Sequence, residues 1–139
     1  MVSAMNNQAR RKVLLVDDEW PVRAFIANAL QREGFEVLEA VDGLDAFGVL
    51  QQVDGAVDVL VTDVRMPRMT GIELVEKVKT AFPGIPVVYI SGECLHDQLH
   101  NPSARVVFLK KPFGPHALVQ AVRSVCNRAG AARVNSAGN

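Results

Sequence analysis

Short apolar runs alternate with amphipathic stretches along most of the chain. Continuous apolar runs that are too short for a buried helix are typical of strands covered on both faces. We predict five strands at such runs, over residues 13–16, 35–38, 57–62, 86–90 and 105–109. Strands that alternate with helices at this spacing indicate a single doubly wound α/β sandwich. Its centre would be a five-stranded parallel sheet with right-handed crossovers.

Helical spacing of apolar residues follows most of these runs. The first predicted helix has Pro21 in its first turn and Gly34 at its exit. Its apolar stripe comprises Val22, Phe25, Ile26, Ala29 and Leu30. Asp42 suits the N-cap of the second helix, and Thr70 and Glu73 match a capping box for the third. The last predicted helix carries Leu118, Val122, Val125 and Cys126 on one face.

The segment between the fourth and fifth strands is polar and broken. Only Leu95 and Leu99 keep a helical register there, so we expect a short or shifted fourth helix. Both ends of the chain are polar as well. Residues 1–10 and 129–139 are expected to be flexible tails, which leaves residues 11–128 as one domain. We expect no output domain, because too few residues follow the last helix to form one.

The composition is that of a globular protein, with 49% hydrophobic and 22% charged residues. Acidic and basic residues number 15 each, so no basic excess points to nucleic acid or to an anionic membrane as partner. No apolar run approaches the roughly 18 residues of a membrane span. The N-terminus has no signal-peptide core, and we therefore expect a cytoplasmic protein. Cys94 and Cys126 lack a metal-binding spacing and are expected to be free thiols.

Polar groups follow four of the five predicted strands at their carboxyl ends, where open parallel sheets bind ligands. They are Asp17, Asp18 and Glu19 after the first strand, Thr62 and Asp63 at the third, Ser91 after the fourth, and Lys110 and Lys111 after the fifth. The second strand, which ends near Glu39 and Ala40, offers no group with an evident role.

The carboxylates of Asp17, Asp18 and Asp63 are expected to converge at one edge of the sheet. Two carboxylates about 4 Å apart repel by roughly 4 kcal/mol at an effective dielectric near 20, so the cluster needs a cation or raised pKa values. Oxygen ligands with few protein donors suit Mg²⁺. A carboxylate can also act as nucleophile and form an aspartyl phosphate, with Lys111 and Ser91 as partners for phosphoryl oxygens. The strand ends therefore indicate a self-phosphorylating site.

Four motifs, each closing a predicted strand, resemble those of the receiver domain of two-component response regulators. They are VLLVDDE at residues 13–19, VTDVRMPRMTG at 61–71, VVYISG at 87–92 and FLKKPF at 108–113. The resemblance runs from about Lys12 to Cys126. It implies a flavodoxin-like (βα)5 fold with strand order 2-1-3-4-5. It also implies that the domain accepts phosphate from a sensor histidine kinase or a histidine phosphotransfer protein and acts on a downstream protein target.

The resemblance implies a role for each residue of the acidic pocket. Asp63 would be the phosphoacceptor and would share in binding Mg²⁺. Asp18 would bind the metal directly and Asp17 mainly through water. The main-chain carbonyl of Arg65 would complete the protein ligands, and Mn²⁺ is expected to substitute for Mg²⁺.

Further residues would couple phosphorylation to a response. Ser91 would bond a phosphoryl oxygen, and Lys111 would pair with Asp63 or its phosphate. The bond before Pro112 resembles the family's cis peptide. The ring of Phe108 would turn inward when Ser91 moves. The responding surface, and a possible homodimer interface, would comprise the fourth helix, the fifth strand and the fifth helix.

Structural roles compete with some of these assignments. Asp17 and Asp18 could be the N-cap of the first helix and its neighbour. Glu19 could support the metal pocket or face solvent, and Phe108 could be plain core. Trp20 is expected to pack near the acidic pocket. The expected surface histidines are His96, His100 and His116.

Other functions are compatible with the same motifs. A stand-alone receiver competes with a receiver excised from a hybrid histidine kinase and with a phosphate sink. A pseudo-receiver that binds partners without phosphate is a remote alternative. So is a phosphohydrolase, which would need a second aspartate where this chain has Arg65. We expect a signalling domain that catalyses only its own phosphorylation and dephosphorylation, and not an enzyme.

Overall fold

The structure, a computed structural model, describes residues 10–92 and 105–137, with side chains up to Cys126. Five strands form one parallel sheet in the order β2-β1-β3-β4-β5. They are β1 (Lys12–Val16), β2 (Glu36–Ala40), β3 (Val59–Asp63), β4 (Val87–Ser91) and β5 (Val106–Lys110). The predicted flavodoxin-like sheet and its strand order are therefore confirmed.

Four helices lie within the described residues: α1 (Trp20–Arg32), α2 (Gly43–Gln52), α3 (Gly71–Ala81) and α4 (Pro115–Ala137). The helix α4 is the last of those predicted, the fifth in the (βα)5 scheme. The expected fourth helix, with Leu95 and Leu99, lies outside the described residues. Among the helices that are described, none is both long and apolar enough to cross a membrane.

The helix α4 continues past residue 128, where the sequence places the end of the domain, and reaches Ala137. The residues beyond 128 include several alanines and Arg133, which have high helix propensity, and the helix continues through Gly130. The flexibility of residues 1–10 and 129–139 stays a prediction.

The sheet separates two apolar layers because side chains alternate between its faces. Val13 and Leu15 of β1 face a cluster shared with α1 and α4. Leu14 and Val16 face the opposite cluster, shared with α2 and α3. With both faces covered, the central positions of β1, β3 and β4 are apolar and buried.

Two predicted helix caps are present. The Asp45 amide donates to the Asp42 carboxylate at 2.8 Å at the start of α2. At the start of α3, Thr70 and Glu73 exchange side-chain and backbone hydrogen bonds in a capping box. These caps fix where α2 and α3 begin, directly beside the carboxyl edge of the sheet.

The apolar stripe predicted for α1 is wrong at one position. Ile26, Ala29 and Leu30 are buried, but Phe25 is 42% exposed. Its ring contacts Phe113, with the ring centroids 6.2 Å apart. Phe25 therefore lies at the edge of the stripe and covers the segment after β5 instead of entering the core.

Candidate functional site

Three carboxylates meet at the carboxyl edge of the sheet. Asp63 is the last residue of β3, and Asp17 directly follows β1, which pairs with β3 through Val16 and Thr62. Carboxylate oxygens of Asp17, Asp18 and Asp63 all lie within 4.8 Å of one another. Asp17 and Asp63 are 1% and 5% exposed, whereas Asp18 is exposed. The structure thus brings together the acidic residues that the sequence singled out.

The electrostatics of Asp17 favour a cation at this cluster. Burial, opposed by a hydrogen bond from the Glu19 amide and reinforced by the charge of Asp63, raises the pKa of Asp17 to about 6. Its Oδ1 accepts from the Glu19 amide at 2.9 Å, while its buried Oδ2 has no hydrogen-bond partner. An unpartnered buried carboxylate oxygen beside two further carboxylates fits a hard divalent cation such as Mg²⁺. The donor set therefore fits the metal that the family implies.

Asp63 is held by donors on both carboxylate oxygens. The Lys111 ammonium donates to Oδ2 at 2.8 Å, and the Arg65 amide donates to Oδ1 at 3.0 Å. Burial lowers the pKa of Lys111, but the hydrogen bond and charge of Asp63 outweigh it and raise the pKa. Lys111 is therefore cationic at neutral pH, and it supplies a fixed positive charge next to Asp63.

The segment after Asp63 packs tightly against the end of β3. The Gly71 amide donates to the Val64 carbonyl at 2.8 Å, and the Val64 amide donates to the Ile90 carbonyl at 3.0 Å. A Cβ at position 71 would collide with the Asp63 carbonyl oxygen. Glycine is required here by close approach, because α3 begins directly against the backbone of Asp63.

Ser91 and Lys111 lie at the carboxyl ends of β4 and β5. Ser91 is a buried polar residue that ends β4, the strand next to β3. The Lys111 amide donates to the Ser91 carbonyl at 2.7 Å. The bond between Lys111 and Pro112 is cis, the geometry that the resemblance implied. Backbone pairing between the two strand ends thus sets where Lys111 leaves the sheet.

Phe108 stacks on Tyr89, its direct partner across β4 and β5. The ring centroids are 5.4 Å apart and the planes differ by 13°. Burial, and then the charge of Glu76, raise the pKa of Tyr89 to about 12, so its hydroxyl is neutral at physiological pH. Phe108 is partly buried on the face of α2 and α3. This placement fits core packing, and the role of Phe108 as a switch stays a prediction.

The residues after β1 rule out one competing assignment and contradict one expectation. The N-cap of α1 is Glu19, not Asp17 or Asp18, and its side chain makes no capping hydrogen bond. Trp20 does not pack beside the pocket, since it is 69% exposed. Trp20 is the only tryptophan in the sequence, and its use as a fluorescence reporter of metal binding stays a prediction.

The end of β2, to which the sequence assigned no role, is linked by hydrogen bonds to the main chain of Asp17. Glu39 accepts a hydrogen bond from the Arg23 guanidinium at 3.1 Å, and the same guanidinium donates to the main-chain carbonyl of Asp17 at 2.7 Å. Neither residue stands out in the sequence, because Arg23 lies on an amphipathic helix and Glu39 is one of several charged residues around β2.

The sequence profile of one family, described as the response regulator receiver domain, matches residues 13–123. The chain belongs to the response regulator receiver domain family. This receiver domain is therefore a module of two-component signalling, and phosphorylation and Mg²⁺ binding are consistent with its family.

The receiver is similar to proteins of different overall length. It is 36% identical to the chemotaxis protein CheY1 of Helicobacter pylori over 121 residues, which cover 82% of this chain and 95% of CheY1. It is 35% identical to the sensor kinase CckA of Brucella abortus over 118 residues, which cover 84% of this chain but 12% of CckA. A crystal structure of the receiver domain from the hybrid histidine kinase CckA has a TM-score of 0.71 and 34% identity, covering 82% of this chain and 98% of that one. The chain spans about half the length of the transcriptional regulatory proteins that it matches.

Proposed function

We propose that Asp63 accepts a phosphoryl group from a histidine kinase or a histidine phosphotransfer protein in a Mg²⁺-dependent reaction. The observation that carries this proposal is the setting of the Asp63 carboxylate. It is buried at the end of β3, paired with Lys111 at 2.8 Å, and within 4.8 Å of the carboxylates of Asp17 and Asp18. These contacts orient the Asp63 carboxylate as a nucleophile. The fixed positive charge of Lys111 would offset the negative charge of an incoming phosphoryl group.

The proposed metal ligands are the carboxylates of Asp17, Asp18 and Asp63 and the main-chain carbonyl of Arg65. Bound Mg²⁺, or Mn²⁺ in its place, supplies positive charge to the phosphoryl oxygens. Asp18 would bind the metal directly, and Asp17 mainly through water, for which it has a buried oxygen with no other partner. The Arg65 amide donates to the Asp63 carboxylate, and this hydrogen bond holds the main chain of Arg65, including its carbonyl, next to Asp63.

The transfer step needs positioning more than covalent chemistry, because its transition state is loose. An oxygen of Asp63 forms a bond to phosphorus while the bond between phosphorus and the donor imidazole nitrogen breaks. Lys111, which pairs with Asp63 before transfer, then pairs with a phosphoryl oxygen. The Ser91 hydroxyl donates to another phosphoryl oxygen.

We propose that this local change of charge shifts a two-state surface. Ser91 moves toward the phosphoryl group, and Phe108, one strand away, turns inward into the space that Ser91 leaves. The surface affected includes β5 and α4, together with the residues between β4 and β5. A downstream protein, or a second copy of the chain, is the proposed reader of this surface.

A receiver that works within a hybrid kinase pathway is the second candidate, and its basis is the similarity to CckA. Such a receiver passes phosphate on to a histidine phosphotransfer protein. Rapid, reversible transfer from the phosphorylated chain to a purified phosphotransfer protein would support this candidate. Stable phosphate that is lost only to water would instead support a stand-alone receiver or a phosphate sink.

Labelling with a small phosphodonor tests the main proposal. The native chain should be labelled by acetyl phosphate with Mg²⁺ and not after chelation, through an adduct that is stable in acid and labile in base. Asp63→Asn should abolish labelling. Asp54→Asn is a matched control, since Asp54 is exposed and its positive φ of 55° is one that asparagine tolerates.

The remote alternatives predict different outcomes of the same assay. A pseudo-receiver would show no Mg²⁺-dependent difference between the native chain and Asp63→Asn. A phosphohydrolase would turn over phosphomonoesters at enzymatic rates, which Arg65 in place of a second aspartate disfavours.

A further inference from the structure

The main chain of Asp17 is held by two groups, the end of β2 and the Arg23 side chain of α1. Its amide donates to the Ala40 carbonyl at 3.2 Å. Its carbonyl accepts from Nη1 of Arg23 at 2.7 Å, and Nε of the same guanidinium donates to the Glu39 carboxylate at 3.1 Å. Arg23 therefore links the main chain of Asp17, the first residue after β1, to the side chain of Glu39 near the end of β2.

The Arg23 side chain is placed to hold its two hydrogen-bond partners in a fixed relative position. It is 16% exposed, whereas that of Glu39 is 45% exposed. A guanidinium that is largely removed from water needs hydrogen-bond partners, and its planar fork fixes the relative directions of the groups it contacts. Since Arg23 lies in the second turn of α1, it links helix, loop and neighbouring strand at one point.

The loop between β1 and α1 has few other described restraints. Its N-cap residue, Glu19, makes no side-chain capping bond, and α1 has no acidic residue in its first turn. Within the loop, Asp17 and Glu19 share one hydrogen bond from amide to carboxylate. The orientation of the Asp17 and Asp18 carboxylates thus depends on how the Asp17 main chain is held.

We propose that Arg23 and Glu39 form a positioning pair that holds the loop between β1 and α1 in the geometry needed to bind Mg²⁺. This inference rests on the proposed role of Asp17 and Asp18 as metal ligands. Neither Arg23 nor Glu39 contacts the metal site itself; they act through the main chain of Asp17. Groups that orient metal ligands from outside contribute on the order of 10- to 100-fold to metal affinity.

Positioning and simple charge predict opposite results when Arg23 is removed. If Arg23 acted only as a positive charge near a cation site, its loss would tighten Mg²⁺ binding, and the loss of the Glu39 charge would weaken it. If Arg23 and Glu39 instead form a positioning pair, Arg23→Ala should bind Mg²⁺ more weakly than the native chain. A positioning pair also predicts that Glu39→Gln, which still accepts from the guanidinium, binds Mg²⁺ nearly as the native chain does.

The test is a Mg²⁺ titration of the whole chain by calorimetry and Trp20 fluorescence. We expect Arg23→Ala to bind about 10-fold more weakly or worse, with Arg23→Lys intermediate and Glu39→Gln within about twofold of native. Arg32→Ala is the matched control, because Arg32 is exposed in the last turn of the same helix. It should leave the affinity within about twofold of native.

Hydrogen exchange of the metal-free chain gives a readout that does not depend on metal. The Glu19 amide, which donates to Asp17, should lose protection in Arg23→Ala and keep it in Arg32→Ala. If Arg23→Ala does not fold, Arg23→Lys and Glu39→Gln carry the test. Native-like or tighter Mg²⁺ binding by the folded Arg23 variants would overturn the positioning pair. Absence of Mg²⁺ binding by the native chain would instead overturn the proposed function. The exchange protection of the Glu19 amide would then still show whether Arg23 holds the loop between β1 and α1.

Discussion

Asp17 is a buried acid with one hydrogen-bonded and one unpartnered oxygen, beside two other carboxylates. Its pKa of about 6 means that the metal-free protein holds an unfavourable charge at neutral pH. Between the unfolded value of 3.8 and about 6 the folded state binds more protons than the unfolded state. The contribution of this residue to stability therefore falls as pH rises through that window.

Replacing Asp17 by asparagine should stabilise the metal-free protein at neutral pH, by on the order of 1 kcal/mol, because the buried charge is gone. The asparagine Oδ1 can still accept from the Glu19 amide. Urea unfolding in a chelating buffer, at about pH 5 and about pH 7.5, measures the effect. The gain should be smaller at the lower pH, and Asp54→Asn should show neither effect. A loss of stability in Asp17→Asn at neutral pH would contradict an unfavourable buried charge at this residue.

Lys111 should matter for phosphoryl transfer and not for metal binding. Lys111→Met removes the cation next to Asp63, so the acetyl phosphate labelling rate should fall by about 100-fold. Mg²⁺ affinity should stay equal or become tighter, because a positive charge has left the site. Lys110→Met is the control, since Lys110 is the exposed neighbour in the chain, and its labelling rate should stay within about twofold of native. Equal rates in the two variants would show that Lys111 has no role in transfer.

At the scale of single residues, the sequence indicates the acidic cluster, Lys111 and Ser91 because each closes an apolar strand. It does not indicate Arg23, whose proposed role depends on side-chain contacts with Asp17 and Glu39 that no local pattern reveals. It is also wrong for Trp20, because the helical pattern of α1 does not reveal how the helix is rotated at its first residue.

At the scale of elements, Gly71 fixes the junction between β3 and α3. Gly71→Ala should destabilise the chain by about 1–3 kcal/mol, because its Cβ forces the Asp63 carbonyl and the start of α3 apart. Gly48→Ala is a useful contrast in α2, where an added Cβ meets no atom within 4 Å. This control should gain about 0.5–1 kcal/mol from helix propensity. Chemical unfolding measures both, and a Gly71→Ala chain as stable as the native one would refute the close approach.

The elements themselves are largely predictable from local signals. Apolar runs locate the five strands, and Asp42 and Thr70 mark the starts of α2 and α3. Strand ends are less predictable, since Asp63 and Ser91 are polar yet still pair within the sheet. Burial of a helix face is also set by neighbours, as Phe25 shows by packing on Phe113.

At the scale of the whole molecule, the site exists only when the sheet is complete. Lys111 and Asp63 are 48 positions apart and meet because the parallel sheet brings the carboxyl ends of β3 and β5 to the same edge, with only β4 between them. The parallel order 2-1-3-4-5 places the ends of β1 and β3 side by side, so the acidic cluster and the lysine are products of topology. The sequence predicts that Lys111 and the acidic residues lie close together only because the alternation of strands and helices indicates a parallel sheet.

Metal binding should therefore stabilise the entire fold. Mg²⁺ at about 100 times its dissociation constant should raise the free energy of unfolding by about 2.7 kcal/mol, since the unfolded chain has no assembled site. The same ionic strength supplied as sodium chloride is the control. Asp17→Asn should lose most of this gain. An equal stabilisation of native chain and variant by Mg²⁺ would place the metal elsewhere.

The most direct test of the central claim is the location of the phosphoryl group after reaction with acetyl phosphate and Mg²⁺. Mass spectrometry of acid-quenched peptides should find the modification on the peptide containing Asp63, with no modification when Mg²⁺ is chelated. A phosphoryl group on another residue, or on Asp63 to the same extent without divalent metal, would contradict Mg²⁺-dependent phosphorylation of Asp63.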